Sequence, residues 1–285
     1  VQVSGTNTRV DIKLKEQLNA CKGRLSTHRN GQPHKSRVYH MLPGLGSKHN
    51  LGVYNNNVNA VERAFIERYF LCKYPNGYAP AIQPRTHAFG GAVNKFREEL
   101  LTHLPTLPVL TLAQTVNLFP ANKRKVYQRA HEELSRVGFS PKDARLKSFV
   151  KFEKQDVSKA PRIINPRSPK YNLLLARYLK HSEHKYFKAI NKCFRQRTRA
   201  TVFKGMDAAE SAQCLYDKWK QFKEPVAIGL DATKFDMHVS REALQYEHSF
   251  YLKSRFMTSS KQELRDLLRL QLDNTGTARC DDGKV

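Results

Sequence analysis

Acidic residues are scarce in this 285-residue chain: 25 Asp and Glu stand against 50 Lys and Arg, a formal net charge of +25. The balance exceeds what an enzyme of neutral metabolites needs and points to a polyanionic partner. Cysteine is also sparse. Cys21, Cys72, Cys193, Cys214 and Cys280 are odd in number and contain no Cys-x-x-Cys pair. That excludes a disulfide scaffold or a zinc knuckle and fits a reducing, intracellular setting. No apolar run reaches the roughly 18 residues of a membrane-spanning helix. The best stretch, Leu104 to Phe119, is broken by Pro105, Pro108, Gln114 and Asn117. No internal repeat or low-complexity tract occurs. An initiating Met and a signal-like segment are missing too, so Val1 and Val285 both read as cuts in a longer protein.

Apolar residues nevertheless make up 40% of the chain and aromatics 10%, enough to bury a core, which excludes a disordered basic tail. The length allows one large or two small domains. The positive charge is uneven. Residues 121–205 hold 23 Lys and Arg against 6 Asp and Glu, a net +17 in less than a third of the chain. Aromatics from Tyr127 to Phe203 are interleaved with these cations. Some could stack on bases, but most are expected in the core, so the basic residues carry the weight of the reading.

Residues 1–57 are basic, rich in Gly, Asn and His and without periodicity, and read as an extended arm with short strands. His28, His34, His40 and His49 lack a neighbouring Cys or carboxylate to complete a metal site. Gly44-Leu45-Gly46-Ser47-Lys48 imitates a phosphate loop, yet Ser47 stands where that motif needs Gly before Lys. Apolar spacing predicts helices over 59–74, 92–104 and about 122–137, the last closed by Gly138. Asp207 and Glu210 have capping-box spacing, opening a helix whose apolar face is Ala212, Leu215, Trp219 and Phe222. Ser240 is expected to cap a further helix with Ala243, Tyr246, Phe250 and Met257 on one face.

Two segments carry the chemistry. Residues 148–171 read SFVKFEKQDVSKAPRIINPRSPKY, two predicted strands around a Pro-marked basic loop bearing Lys151, Glu153, Lys154, Lys159, Arg162, Arg167 and Lys170. Cations on a strand pair are held in place, which suits a triphosphate whose charge must be neutralised in a fixed geometry. Residues 226–240 read VAIGLDATKFDMHVS: an apolar run predicted as a buried strand ending at Asp231, with Asp236 five residues on. A carboxylate at a strand end suits metal-ion chemistry. A second acid beyond a turn can face the same cavity in another role.

In this order, KFEK, APRIINPRSPKY and GLDATKFDMHVS closely resemble the RNA-dependent RNA polymerases of tombusvirus-like plus-strand RNA viruses, including the carmovirus and luteovirus-like branches. The resemblance spans at least Ser148 to Arg255, and its specificity comes from the ordered set. It implies an α+β fold, a right-hand polymerase represented by its fingers and the first part of its palm. That fold is helix-rich, with a basic strand pair and the start of an antiparallel palm sheet. By resemblance, residues 1–57 are a basic N-terminal arm or fingertips, 58–225 the fingers, and 226–285 the start of the palm.

The same resemblance implies that Asp231 is catalytic and binds the metal, Mg²⁺ or Mn²⁺. Asp236 senses the ribose 2′-hydroxyl, and Arg162 contacts the triphosphate of the incoming nucleotide. Lys151 faces nucleotide or template phosphate, and Glu153 orients the neighbouring cations. Lys159 lines the nucleotide tunnel, while Lys154, Arg167 and Lys170 join Lys151 in holding RNA. Implied partners are the viral RNA template and nascent RNA, nucleoside triphosphates and a viral replication auxiliary protein. The implied location is a membrane-associated replication complex in the host cytoplasm, with no anchor in these residues.

The family's Ser-Gly…Asn helix motif and Gly-Asp-Asp hairpin are missing from the sequence. Cys280-Asp281-Asp282-Gly283 is preceded by polar residues and reads as a solvated turn, not a metal site. The expectation is therefore a partial chain that binds RNA without polymerising. The alternative is a non-enzymatic basic RNA-binding protein. A capsid or movement protein lacks support, because neither a jelly-roll series of strands nor membrane-active segments appear. A reverse transcriptase would want a steric gate where Asp236 stands.

Overall fold

The computed structural model describes residues 1–18, 24–42, 50–195 and 200–285. The phosphate-loop-like residues Gly44 to Lys48, together with Cys21 and His49, lie outside the described residues. The architecture is α+β, with helices packed around a mixed sheet.

The predicted arm of residues 1–57 is tied down by short strands. Gln2–Ser4 pairs antiparallel with Val38–His40, Leu51–Gly52 pairs with Gln155–Asp156, and His28–Arg29 joins the edge of the main sheet. A helix at Ile12–Leu18 was not expected. In the main sheet the spatial order is His28–Arg29, Gly283–Lys284, Gly276–Cys280, Leu146–Val150 and Ile163–Ile164. Leu146–Val150 runs parallel to Gly276–Cys280 and antiparallel to Ile163–Ile164, so the predicted basic strand pair forms inside a larger sheet. The alternation is the period-two signature: Ser148 and Val150 point into the protein, while Lys147 and Phe149 point out. Val150, Ile163 and Ala278 share a core with Tyr54, Ala60, Val61 and Ala64.

The helix expected over 59–74 divides in three. Asn57 accepts the Ala60 N–H at 2.9 Å and starts an α-helix, Val58–Phe65, that buries Val58, Ala60, Val61 and Ala64. A π-turn follows at Ile66–Phe70, closed by Leu71 N–H to the Ile66 carbonyl at 2.8 Å. Cys72–Tyr74 then pairs with Gly77–Ala79, because Pro75 blocks further helix and the segment can satisfy its backbone as a hairpin. The next two helices form as expected, Gly91–Thr102 and Ala121–Val137, the second ended by Gly138 at φ 70°.

The capping box at Asp207 and Glu210 starts the helix Ala208–Trp219. Its predicted apolar face is a correction: Leu215, Trp219 and Phe222 are exposed, and the helix buries Cys214 instead. No described element packs on that face closely enough to cover it. Ser240 caps Arg241–Lys253 as predicted, with Tyr246 and Phe250 partly buried, but Met257 lies past the helix end and is exposed. A second core joins Leu107, Tyr178, Phe256, Leu264 and Leu268, bringing together Pro169–Leu179 and Gln262–Arg269.

The largest correction falls on 226–230, predicted as a buried strand at the start of a palm sheet. The segment pairs with no other described strand, and Val226, Ile228 and Leu230 are 80%, 81% and 92% exposed. Strand propensity and apolarity are present, but a strand exists only where a neighbour accepts its hydrogen bonds and covers a face.

Candidate nucleotide and RNA interface

Lys151 leaves the end of its strand with its N–H bonded to the Arg162 carbonyl at 2.8 Å, which carries the ladder one step past Val150 and Ile163. The two cationic side chains therefore stand across from each other. Glu153 lies between them: one carboxylate oxygen is 2.5 Å from the Lys151 ammonium, the other 3.1 Å from the Arg162 guanidinium. The Arg162 contact is Coulombic more than directional, since its best-aligned hydrogen bond to Glu153 is long, 3.4 Å. Without Glu153 the two cations would repel. With it they are fixed, and Arg162 keeps over half of its side chain in solvent, open to an anion.

A third cation, which sequence reasoning missed, backs this pair. Arg68 on the π-turn donates to the Ala160 carbonyl at 3.0 Å, and burial followed by the nearby Arg162 charge pushes its guanidinium below the usual range. Its neighbour Tyr69 accepts from Asn165 at 3.0 Å, and Asn165 in turn accepts from Ser148 at 2.6 Å. This chain of side chains ties the π-turn to the basic hairpin. Burial, then the Asp236 carboxylate, pushes the Tyr69 phenol up, with Arg68, Asn165 and Arg162 opposing. Tyr69 thus lies in the fields of both Asp236 and Arg162. The only signal for it in the sequence was Arg-Tyr inside a helical pattern that also suited an ordinary helix.

Asp236 reaches this place on a single turn, Phe235–His238, packed against the π-turn. Buried Met237 meets Cys72, and Lys234 donates to the Glu67 carbonyl at 2.6 Å. Lys234 adopts φ 52°, a left-handed conformation uncommon outside glycine, and its anchored ammonium is lowered by burial. Asp231 is placed differently. It is exposed, follows the unpaired segment, and makes no hydrogen bond or ion pair among the described residues. No group of three or more metal-ligand side chains among the described residues includes it.

The remaining predicted contacts divide into open and internal. Lys159 is exposed, with its ammonium 3.9 Å from Asp156, and Lys154 is exposed with its ammonium 5.9 Å from the centre of the Tyr39 ring. Arg37, from the arm, donates to the carbonyls of Val150 at 2.7 Å and Tyr54 at 3.1 Å and lies over Phe152. By contrast, Arg167 bonds to the carbonyls of Ala144 and Leu270 and to Asn274, and Lys170 pairs with Asp143 at 2.8 Å with both side chains largely buried. A phosphate would have to displace those partners. Asp281 and Asp282 form the two-residue turn between paired Cys280 and Gly283, so the turn is a hairpin in the main sheet. It is not solvated at Asp282, which accepts the Val58 N–H at 3.0 Å at a helix start and lies 3.6 Å from Arg29.

A family model described as viral RNA-dependent RNA polymerase matches residues 25–285. The chain belongs to the viral RNA-dependent RNA polymerase family. Within it, the chain is 40% identical over 260 residues to the RNA-directed RNA polymerase of Tobacco necrosis virus (strain A), covering 90% of this chain and 35% of that protein. It is 40% identical over 261 residues to that of Oat chlorotic stunt virus, covering 88% and 34%. The corresponding figures for Tomato bushy stunt virus (strain Cherry) are 38% over 261 residues, covering 90% and 31%. The chain spans about a third of the length of these polymerases. The tombusvirus-like resemblance of the ordered motifs is thereby established for nearly the whole chain.

Proposed function

We propose that these residues are the fingers and the first part of the palm of an RNA-directed RNA polymerase. In this reading, 1–57 form the arm and fingertips, 58–225 the fingers, and 226–285 the start of the palm. The full-length protein adds ribonucleotides to an RNA 3′ end, directed by a viral plus-strand template or its copy, and releases pyrophosphate. The observation that carries the reading is the joint placement of Lys151 and Arg162 across Glu153, with the turn that bears Asp236 packed on the π-turn that Arg68 and Tyr69 tie to the same hairpin. Arg162 and Lys151 take the triphosphate, and Lys159 lines its path. Asp236 accepts the ribose 2′-hydroxyl and rejects a sugar that leaves the carboxylate unpaired. Lys154 contributes to the RNA track, while Arg167 and Lys170 act mainly by holding the fold.

The cofactor implied is Mg²⁺ or Mn²⁺, which in nucleotidyl transfer lowers the pKa of the attacking hydroxyl and steadies the leaving pyrophosphate. Asp231 supplies one carboxylate, and among the described residues it belongs to no group of three or more metal-ligand side chains. This reading assigns the other ligands to the rest of the full-length polymerase. A viral replication auxiliary protein and a membrane-associated complex in the host cytoplasm complete the proposal. No described helix is long and apolar enough to cross a membrane.

Purified residues 1–285 should bind RNA with steep salt dependence, because phosphate contacts release counterions. A photoreactive ribonucleoside triphosphate should label the Lys151–Arg162 hairpin, and the labelling should fall in Arg162→Ala. Primer extension should be undetectable. Robust extension by residues 1–285 would overturn the assignment of missing ligands. Triphosphate labelling that ignores Arg162→Ala would favour the non-enzymatic RNA-binding reading.

A further inference from the structure

Cysteine spacing excludes a zinc knuckle, yet the fold gathers a ligand set that no local motif contains. Glu99 and His103 stand one helical turn apart at the end of Gly91–Thr102, and Cys193 is the last residue of Glu183–Cys193, which packs against that helix. One ligand atom from each lies within 4.8 Å of the others. Among the described residues, it is the one group of three or more such side chains close enough to share an ion. The carboxylate of Glu99 and the ring of His103 make no hydrogen bond or ion pair among the described residues, so no described partner has to be displaced.

The field at this place favours a cation even in a strongly basic protein. Two helix C-termini converge, and each presents carbonyls with partial negative charge. The last turn of Gly91–Thr102 contains no basic residue, while Lys192 in the other helix tempers the field without offering a ligand. Half-buried His103 and Cys193 lie on the protein side of the site, and exposed Glu99 on the solvent side. We propose that Glu99, His103 and Cys193 bind a structural Zn²⁺ ion, with water as its fourth ligand. Thiolate, imidazole and carboxylate are the zinc donor set, whereas Mg²⁺ would prefer oxygen alone. At zinc–ligand distances of about 2.0–2.3 Å the three atoms must draw together by about 1 Å, which the rotatable Glu99 side chain can provide.

Binding releases the Cys193 proton and cross-links two helices that are distant in sequence. Phe96 and Leu100 of the first helix and Tyr186 and Ile190 of the second also line a cavity of about 670 Å³. The ion therefore fixes one wall of that cavity, independently of the nucleotide site. It is separate from any ion held by Asp231 and does not depend on polymerase activity.

The test uses reduced, chelator-treated residues 1–285 titrated with Co²⁺ as a spectroscopic probe, then with Zn²⁺. One equivalent of Co²⁺ should produce a thiolate-to-cobalt charge-transfer band and visible bands of tetrahedral intensity, and Zn²⁺ should erase both. Cys193→Ser should remove the charge-transfer band, and His103→Gln should weaken Co²⁺ binding about tenfold or more. Zn²⁺ should raise the unfolding temperature of the parent chain but not of Cys193→Ser. Circular dichroism confirms that each variant is folded, and the surface variant Glu99→Gln provides an independent check. Absence of the band, its persistence in Cys193→Ser, or Co²⁺ affinity unchanged in both His103→Gln and Glu99→Gln would overturn the proposal.

Discussion

The basic hairpin and the acidic segment contribute to one proposed site but are built in opposite ways. Lys151 and Arg162 extend a paired ladder whose inward neighbours, Val150 and Ile163, sit in a closed core. Asp231 ends an apolar run that has no strand partner among the described residues and leaves Ile228 81% exposed. The cation cradle is thus positioned by contacts within these residues. Asp236 is held by Met237 and Lys234, but Asp231, five residues earlier, is not held. Preorganisation can therefore change within one short segment, according to whether packing reaches it.

The sharpest way to break this comparison is Asp231→Ala in the full-length polymerase. Primer extension should fall below detection, while RNA affinity in a filter-binding assay changes less than about twofold, because the exposed carboxylate holds no part of the fold. Parallel loss of RNA binding would show that Asp231 acts through structure.

Stability should show the reverse order. Val150→Ala in residues 1–285 should cost about 2 kcal/mol in chemical denaturation, since Val150 is fully buried. Ile228→Ala should stay within about 0.5 kcal/mol, because its side chain is already in water. Equal effects would mean that 226–230 is covered in solution.

Arg162→Ala should weaken triphosphate binding about tenfold, the scale of one charge-assisted contact, as measured by competition against the photoreactive analogue. Glu153→Gln should lower stability by about 1 kcal/mol, because Lys151 and Arg162 are partly exposed and their repulsion is screened.

A final effect, confined to alkaline pH, lies on the packed side. Burial, followed by Asp282 and Asp281, pushes the Cys280 thiol up to about 12 from 9.0. The fold therefore keeps a proton that the unfolded chain releases. Its stabilising effect is complete below about pH 9 and is lost as pH rises towards 12. Cys280→Ala should make the alkaline decline shallower, and Cys280 should resist alkylation at neutral pH in the folded protein.

Local patterns were legible where a side chain acts on its own backbone or on its own face of an element. The capping box at Asp207 and the stop at Gly138 both formed as read, whereas Phe149 and Phe152, read as apolar anchors of the basic strand pair, are exposed. The helix over 59–74 was misread in its second half because an apolar spacing near 3.6 tolerates a π-turn, and only contacts with the hairpin and with Phe235–His238 distinguish the two. The Leu215–Phe222 face and the 226–230 run show the complementary error: amphipathicity states what should be covered, not what covers it.

By itself, the sequence determined the basic character of the chain, the ordered motifs that place it in the polymerase family, and the strand pair that presents Lys151 and Arg162. These depend on composition and on neighbours a few residues apart. Only the tertiary structure tied Arg68 and Tyr69 to that hairpin, packed the Asp236 turn against them, turned Arg167 and Lys170 inward, and set Cys193 beside Glu99 and His103. Those placements join residues tens to more than a hundred positions apart. Their proximity follows from which apolar faces bury one another, and local periodicity does not encode that choice.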